Sequence, residues 1–300
     1  MNMAGDPFEV TGHFTLADTT LAYREKGADG TPVVFVHGGL SDLRTWEKQL
    51  QAISASYRTI SYSRRYARPN DDVPAGADDQ MFPHADDLAA ILQGLDGGPA
   101  TLVGNSWGAF ICLLTAIGHP GLVANLVLEE PPVLPLYVST PPRPAELLRL
   151  ARKPRTLASI LGFGTRIARV QKAFRNDNDE EAMRLFVNGV LGKKGLDGVP
   201  APRQQQMREN LGALKAQMLG AGFPPLHDQD VREVTIPVLL LTGEQSPAFL
   251  HRLTERLNDL LPNAQTIRIP RASHLMHEVN PAAVNTAILE FLTAQAIATS

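Results

Sequence analysis

Cysteine is almost missing from this 300-residue sequence: Cys112 stands alone, which excludes an internal disulfide. Its setting in the apolar run Ala109-Phe110-Ile111-Cys112-Leu113-Leu114 marks it as a buried structural thiol rather than a nucleophile. Long hydrophobic runs are missing too, since no stretch approaches the ~18 uninterrupted apolar residues of a membrane span. Residues 1–7 carry neither a basic n-region nor an apolar h-region, so the expected location is the cytoplasm. Nor is there an excess of charge. With 28 Lys and Arg against 31 Asp and Glu, the formal net charge of −3 gives no electrostatic case for nucleic acid as a partner. What remains is ordinary globular composition, 44% hydrophobic and 20% charged, in a chain long enough for one large core carrying an insertion.

Short apolar runs alternate with amphipathic ones along most of the chain. Residues 14–16 and 21–24 read as a hairpin around residues 17–20, and further strands are expected at 32–36, 57–62, 100–103, 122–128, 235–241 and 264–269. Between them Leu43, Trp46, Leu50 and Ile53 keep helical spacing, as do Leu250, Leu253, Leu257 and Leu260, and later Val284, Ile288 and Phe291. Continuous apolar strands separated by such helices predict an α/β architecture, a mostly parallel sheet covered on both faces. The alternation breaks between about residues 133 and 230, where the pattern is helical near 145–152, 157–174, 180–191 and 203–219. This predicts a core formed by residues 1–132 and 231–300, with a helical cap over the carboxyl ends of the strands at 133–230.

Gly104-Asn105-Ser106-Trp107-Gly108 follows the run Ala100-Thr101-Leu102-Val103 and precedes an apolar helix, so Ser106 falls where a buried strand turns sharply. Such a turn presents a serine hydroxyl above the sheet, and glycines on either side let strand and helix approach closely. Two more stretches complete the pattern: His37-Gly38-Gly39 after the 32–36 strand, and Ala272-Ser273-His274 after the last strand. Together these motifs resemble the α/β-hydrolase superfamily, and the resemblance covers essentially the whole chain. It implies an α/β-hydrolase fold, with Ser106 as nucleophile, His274 as base, and the backbone N–H groups of Gly39 and Trp107 as an oxyanion hole.

The acid departs from the commoner family pattern. Many relatives place an aspartate shortly after the seventh strand, where this chain reads Gly243-Glu244-Gln245-Ser246-Pro247. The sixth strand instead runs into Glu129-Glu130-Pro131-Pro132, which resembles the subset with a glutamate at that strand's end, zearalenone-lactonase-like enzymes included. Side chains alternate along a strand, so only one of the two glutamates is expected to serve. Glu130 is the choice, with Glu244 and then Glu129 as alternatives. His277 is a competitor for His274. His274, His277 and Glu278 do not form the spacing His-Glu-x-x-His, so no metal is expected, and no cofactor is required.

Two basic stretches read as solvated surface: the loop Ser63-Arg64-Arg65-Tyr66-Ala67-Arg68-Pro69, with one of its arginines bracing the site as the alternative, and residues 143–175, with nine basic residues against the single acid Glu146 and attraction of carboxylate-bearing substrates or a membrane face as the alternative. The resemblance implies hydrolysis of a small, largely apolar carboxylic ester or lactone through an acyl-enzyme, as an esterase or lactonase. Carbon–carbon bond hydrolysis of a diketone-like aromatic breakdown product is the second reading, against which the missing aspartate counts. A small-molecule receptor with little turnover is the third.

Overall fold

The strand-forming runs meet in one eight-stranded sheet. Its members are β1 (Gly12–Thr15), β2 (Thr20–Lys26), β3 (Pro32–Val36), β4 (Arg58–Tyr62), β5 (Ala100–Asn105), β6 (Val123–Glu129), β7 (Val238–Gly243) and β8 (Ala264–Ile269). They lie in the order β1-β2-β4-β3-β5-β6-β7-β8, antiparallel as far as the β2–β4 pairing and parallel beyond it. The computed structural model describes residues 7–298 except 28, 29, 75, 140, 193 and 194.

Strand alternation sorts the core into two layers. Val34, Val36, Leu102, Leu126, Leu128, Val238 and Leu240 face α2 (Met81–Gly94), α3 (Trp107–Gly118) and α10 (Ala248–Asn258). Val33, Phe35, Val103, Val127, Leu239 and Leu241 face α1 (Glu47–Ile53) and α12 (Pro281–Ala298). Strands buried on both faces are therefore apolar throughout, as β3, β5 and β7 are. β7 starts at Val238 rather than at residue 235, because Pro237 has no N–H to give the ladder.

Between β6 and β7 lie α4 (Pro144–Ala151), α5 (Pro154–Arg175), α6 (Asp179–Leu191), α7 (Ala201–Glu209), α8 (Leu211–Leu219) and α9 (Asp228–Arg232), with no strand among the described residues. Prolines at the first helical position start α4 and α5, where a missing N–H is harmless. The expected single helix over 203–219 is in fact two. It breaks at Asn210, whose amide donates to Asp42 Oδ2 while its oxygen accepts the Arg68 N–H, contacts a continuous helix face does not offer. These helices share an apolar cluster of Val170, Phe174, Met183, Val187, Met207 and Leu214, joined by Leu40 from the loop after β3. Polar contacts hold the segment against that loop and the one after β8: Arg203 reaches the Leu40 carbonyl and Glu278, and Ser273 Oγ donates to the Leu191 carbonyl. Among the described residues no helix is long and apolar enough to cross a membrane. Cys112 is fully buried and its thiol pKa is pushed up by that burial, as a structural thiol requires.

Candidate active site

The turn from β5 into α3 places Ser106 with φ +52° and ψ −119°, a conformation that strains any residue with a Cβ. The strain is held in place by the Ser106 N–H on the Glu129 carbonyl (2.8 Å) and by the Phe110 N–H on the Ser106 carbonyl (3.1 Å). A Cβ on Gly104 would stand 2.6 Å from Ala109 Cα, and one on Gly108 would run into the Val36 and His37 carbonyls, so both glycines are what let α3 cross the strands. Trp107 opens the helix, with its N–H at the positive end of the dipole and its ring buried against Phe223. Ser106 itself is half-buried.

Glu130, the first residue past β6, also has a left-handed backbone, with φ +46°. Its fully buried carboxylate accepts from Thr242 Oγ1 (2.8 Å) and the Gly243 N–H (2.9 Å) at Oε1, and from His274 Nδ1 (2.8 Å) at Oε2. Burial opposes the charge on Glu130, yet the His274 hydrogen bond and its neighbours hold the carboxyl below its ordinary pKa. An ionised carboxylate only accepts, so Nδ1 of His274 carries the proton and neutral His274 keeps Nε2 free as an acceptor. Asn105, beside the serine, donates to the His274 carbonyl (3.1 Å) and to Glu129 Oε2 (3.2 Å). Among the described residues no hydrogen bond joins Ser106 Oγ to the His274 ring; such contacts are commonly long in a free enzyme and tighten with substrate.

His277 is engaged elsewhere. Its Nδ1 meets Glu129 Oε2 at 2.6 Å, Nε2 lies 3.6 Å from Glu278 Oε1, and the Trp46 ring packs against it tilted by 31°, with centroids 4.3 Å apart. Burial disfavours its charge, but Glu129 and Glu278 raise its pKa to about 9, so it sits as an imidazolium between carboxylates. Glu278, disfavoured by burial and pulled down by Arg203 and His277, falls to about 2. Glu244 is exposed and accepts the Arg271 N–H. Of the carboxylates weighed from sequence, Glu130 is the one bonded to His274.

The loop after β3 is braced by Arg64, from a stretch whose composition predicts solvated surface. Arg64 is only 2% exposed, a correction to the solvated-loop expectation. Its N–H donates to His37 Nε2, its Nε to the His37 carbonyl and its Nη2 to the Gly38 carbonyl, at 3.0, 3.0 and 3.1 Å. His37 Nδ1 closes on the Gly38 carbonyl at 2.9 Å. Burial and the Arg64 charge push His37 well below its ordinary pKa, keeping it neutral. The C=O and N–H across a trans peptide point oppositely. With the Gly38 carbonyl turned to Arg64, the Gly39 N–H is turned away from it, and a Cβ on Gly38 would already touch Ser106 Cβ at 3.2 Å. By contrast, the nine basic residues of 143–175 are all exposed, as expected.

A cleft of about 1260 Å³ opens between α5, α6 and the loops after β7 and β8, lined by Phe163, Leu191, Ser246 and the two chain neighbours of His274, Ser273 and Leu275, while Ser106 and His274 themselves do not line it. Among the described residues no group of three or more His, Cys, Asp or Glu is arranged to hold a metal ion.

The family profile for the alpha/beta hydrolase fold matches residues 31–281. The chain belongs to the α/β-hydrolase family. This α/β-hydrolase is 26% identical over 296 residues to 2-(acetamidomethylene)succinate hydrolase of Mesorhizobium japonicum, spanning 98% of each chain. It is 27% identical to Epoxide hydrolase 3 of Xenopus tropicalis, across 94% of this chain and 77% of that one. Among solved structures, Est816, described as an N-acyl homoserine lactone degrading enzyme, superposes with a TM-score of 0.71 over 93% of this chain and 99% of that one, at 18% identity, a likeness of fold alone. The α/β-hydrolase membership and hydrolase-named relatives make the protein an enzyme, a hydrolase whose relatives act on different bonds.

Proposed function

We propose that this α/β-hydrolase cleaves a carboxylic ester or lactone of a small molecule through an acyl-enzyme. Ser106 attacks the carbonyl, His274 Nε2 takes the serine proton and returns it to the leaving oxygen, and Glu130 fixes the tautomer and offsets the imidazolium charge. The N–H groups of Gly39 and Trp107 receive the oxyanion, and residues 133–230 act as the cap that shapes the substrate space. The observation that carries this reading is the His274–Glu130 hydrogen bond, 2.8 Å and buried, on the carboxyl edge of the sheet that also holds the strained Ser106.

A serine-directed organophosphonate tests it. One equivalent is expected on the wild type and none on Ser106→Ala, together with turnover of at least one member of a panel of aryl esters and aromatic lactones. Labelling at another residue, or turnover retained in Ser106→Ala, refutes the assignment. Cleavage of a vinylogous diketone in preference to every ester and lactone moves the reaction to carbon–carbon bonds; labelling without turnover of any panel member refutes the ester or lactone assignment.

A further inference from the structure

Gln217 lies on α8 and only 3% of it is exposed, yet its carbonyl oxygen Oε1 has no hydrogen-bond partner. A buried acceptor left unpaired is rare, and each one calls for a reason. The side chain is not free to turn. Its Nε2 donates to Asp79 Oδ2 at 2.7 Å, and the other Asp79 oxygen is held by His84 Nε2 at 2.6 Å. Burial opposes the Asp79 charge, but His84 and Arg64 keep its pKa below the ordinary value. A carboxylate cannot donate, so the NH2 end of Gln217 must face Asp79 and the C=O end must face the other way. The helix behind it is fixed too, since Gln171 Nε2 donates to the Met218 carbonyl at 2.7 Å.

What lies on the other side is Gly39. A Cβ built on Gly39 would stand 3.7 Å from Gln217 Oε1 and 3.7 Å from Leu214 Cδ1. Beside the proposed oxyanion donor there is thus an apolar wall bearing one oriented acceptor and no protein donor to fill it. Gly39 is half-buried, and a methyl-sized group on it would rest in ordinary van der Waals contact with that wall.

We infer that Gln217 is a specificity-determining residue that accepts a hydrogen bond from an O–H or N–H on the substrate carbon next to the scissile carbonyl. The inference rests on the hydrolase reading and narrows it to α-hydroxy or α-acylamino esters and lactones. A carbonyl whose oxygen sits on the Gly39 N–H has its α substituent within reach of the neighbouring wall, and only a donor there satisfies Oε1. A substrate lacking that donor leaves the acceptor buried and unpaired, which disfavours it by roughly tenfold to a hundredfold.

The test compares matched pairs: phenyl lactate with phenyl 2-methoxypropionate, and the phenyl ester of N-acetylalanine with its N-methyl counterpart. For each pair the ratio of kcat/KM is read in the wild type and in Gln217→Met, which keeps the length and removes the acceptor; intrinsic reactivity cancels between the two proteins. A wild-type preference for the donor of about tenfold or more, collapsing toward one in Gln217→Met, is expected. No preference in the wild type, or one that survives the substitution, overturns the inference. Survival includes the case where both esters lose activity equally, as a merely structural role or a resident water on Oε1 dictates. The Kd ratio for the same pairs on Ser106→Ala and Ser106→Ala/Gln217→Met separates the two claims. A donor preference in binding that Gln217→Met erases, without turnover in the wild type, rejects the hydrolase and keeps Gln217. Turnover with an unmoved ratio does the reverse.

Discussion

Glu130→Gln is the substitution on which the proposed chemistry turns, because the local hydrogen bonds decide how the new amide sits. Oε1 of Glu130 accepts from Thr242 Oγ1 and from the Gly243 N–H; the hydroxyl rotates, the backbone donor does not. The glutamine must therefore keep its C=O toward Gly243 and turn its NH2 toward His274 Nδ1. An NH2 there needs an acceptor, so His274 shifts its proton to Nε2 and is no longer a base for Ser106. The alternative orientation sets an NH2 against the Gly243 N–H and leaves that buried N–H without a partner, at about 1–3 kcal/mol. Either way the neutral residue no longer offsets the imidazolium charge.

The expected loss in kcat is on the order of 10⁴, the size seen when a triad acid becomes its amide, which corresponds to about 5 kcal/mol of barrier. Steady-state hydrolysis of whichever aryl ester turns over best supplies the measurement, with thermal unfolding to confirm a folded protein. Glu244→Gln is the control: its carboxylate is exposed and accepts the Arg271 N–H, so its removal is worth about 1 kcal/mol or less. A Glu130→Gln enzyme within tenfold of wild type, with the larger loss in Glu244→Gln, refutes the reasoning.

Arg64→Lys keeps a charge but cannot hold the His37 and Gly38 carbonyls with a fork, so the Gly39 N–H loses its aim. A fall in kcat of about tenfold to a hundredfold with KM little changed is expected, below the ~10²–10³ of deleting an oxyanion donor outright; a pure KM effect contradicts it. Stability should depend on pH through the second Glu–His pair. His277 is raised to about 9, so its contribution is complete below its ordinary 6.5 and fades as pH climbs through 9, whereas Glu278, lowered to about 2, contributes fully above 4.5 and fades toward 2. Melting temperatures across pH 3–10 read both limbs, and His277→Gln should flatten the alkaline one. Gly108→Ala drives a methyl into the Val36 and His37 carbonyls and should cost several kcal/mol or prevent folding, where Gly118→Ala, facing open space, should not.

The strands, the elbow and the histidine loop were legible because each is written in a contiguous stretch: an apolar run, a turn flanked by Gly104 and Gly108, a basic side chain after the last strand. Arg64 was not. A loop bearing Arg64, Arg65 and Arg68 looks solvated, and what buries the first of them is a pair of carbonyls on the loop after β3, contacts that no periodicity records. Gln217 was hidden in the same way, since its meaning lies in Asp79 and Gly39, far away in the chain. The split at Asn210 escaped because Asn is an unremarkable helix residue until Asp42 and Arg68 are known to meet it.

Glu129 and Glu130 show where a correct rule stops. Alternation along a strand predicts that neighbours point to opposite faces, and hence that one of the two glutamates is idle. β6, however, ends at Glu129, and Glu130 takes a left-handed backbone that no longer belongs to the pleat. The chain can then direct both carboxylates at histidines of one segment, Glu130 to His274 and Glu129 to His277. The two pairs differ in what surrounds them, and that difference is what the proposed roles of base and brace rest on. His277, flanked by Glu129 on one nitrogen and Glu278 near the other, is held as a cation with no nitrogen free to accept. His274 meets a carboxylate on Nδ1 alone and keeps Nε2 for chemistry. Asn105 links the arrangements, donating from one amide to Glu129 and to the His274 carbonyl. Asn105 therefore ties the turn that strains Ser106 to the segment that carries His274.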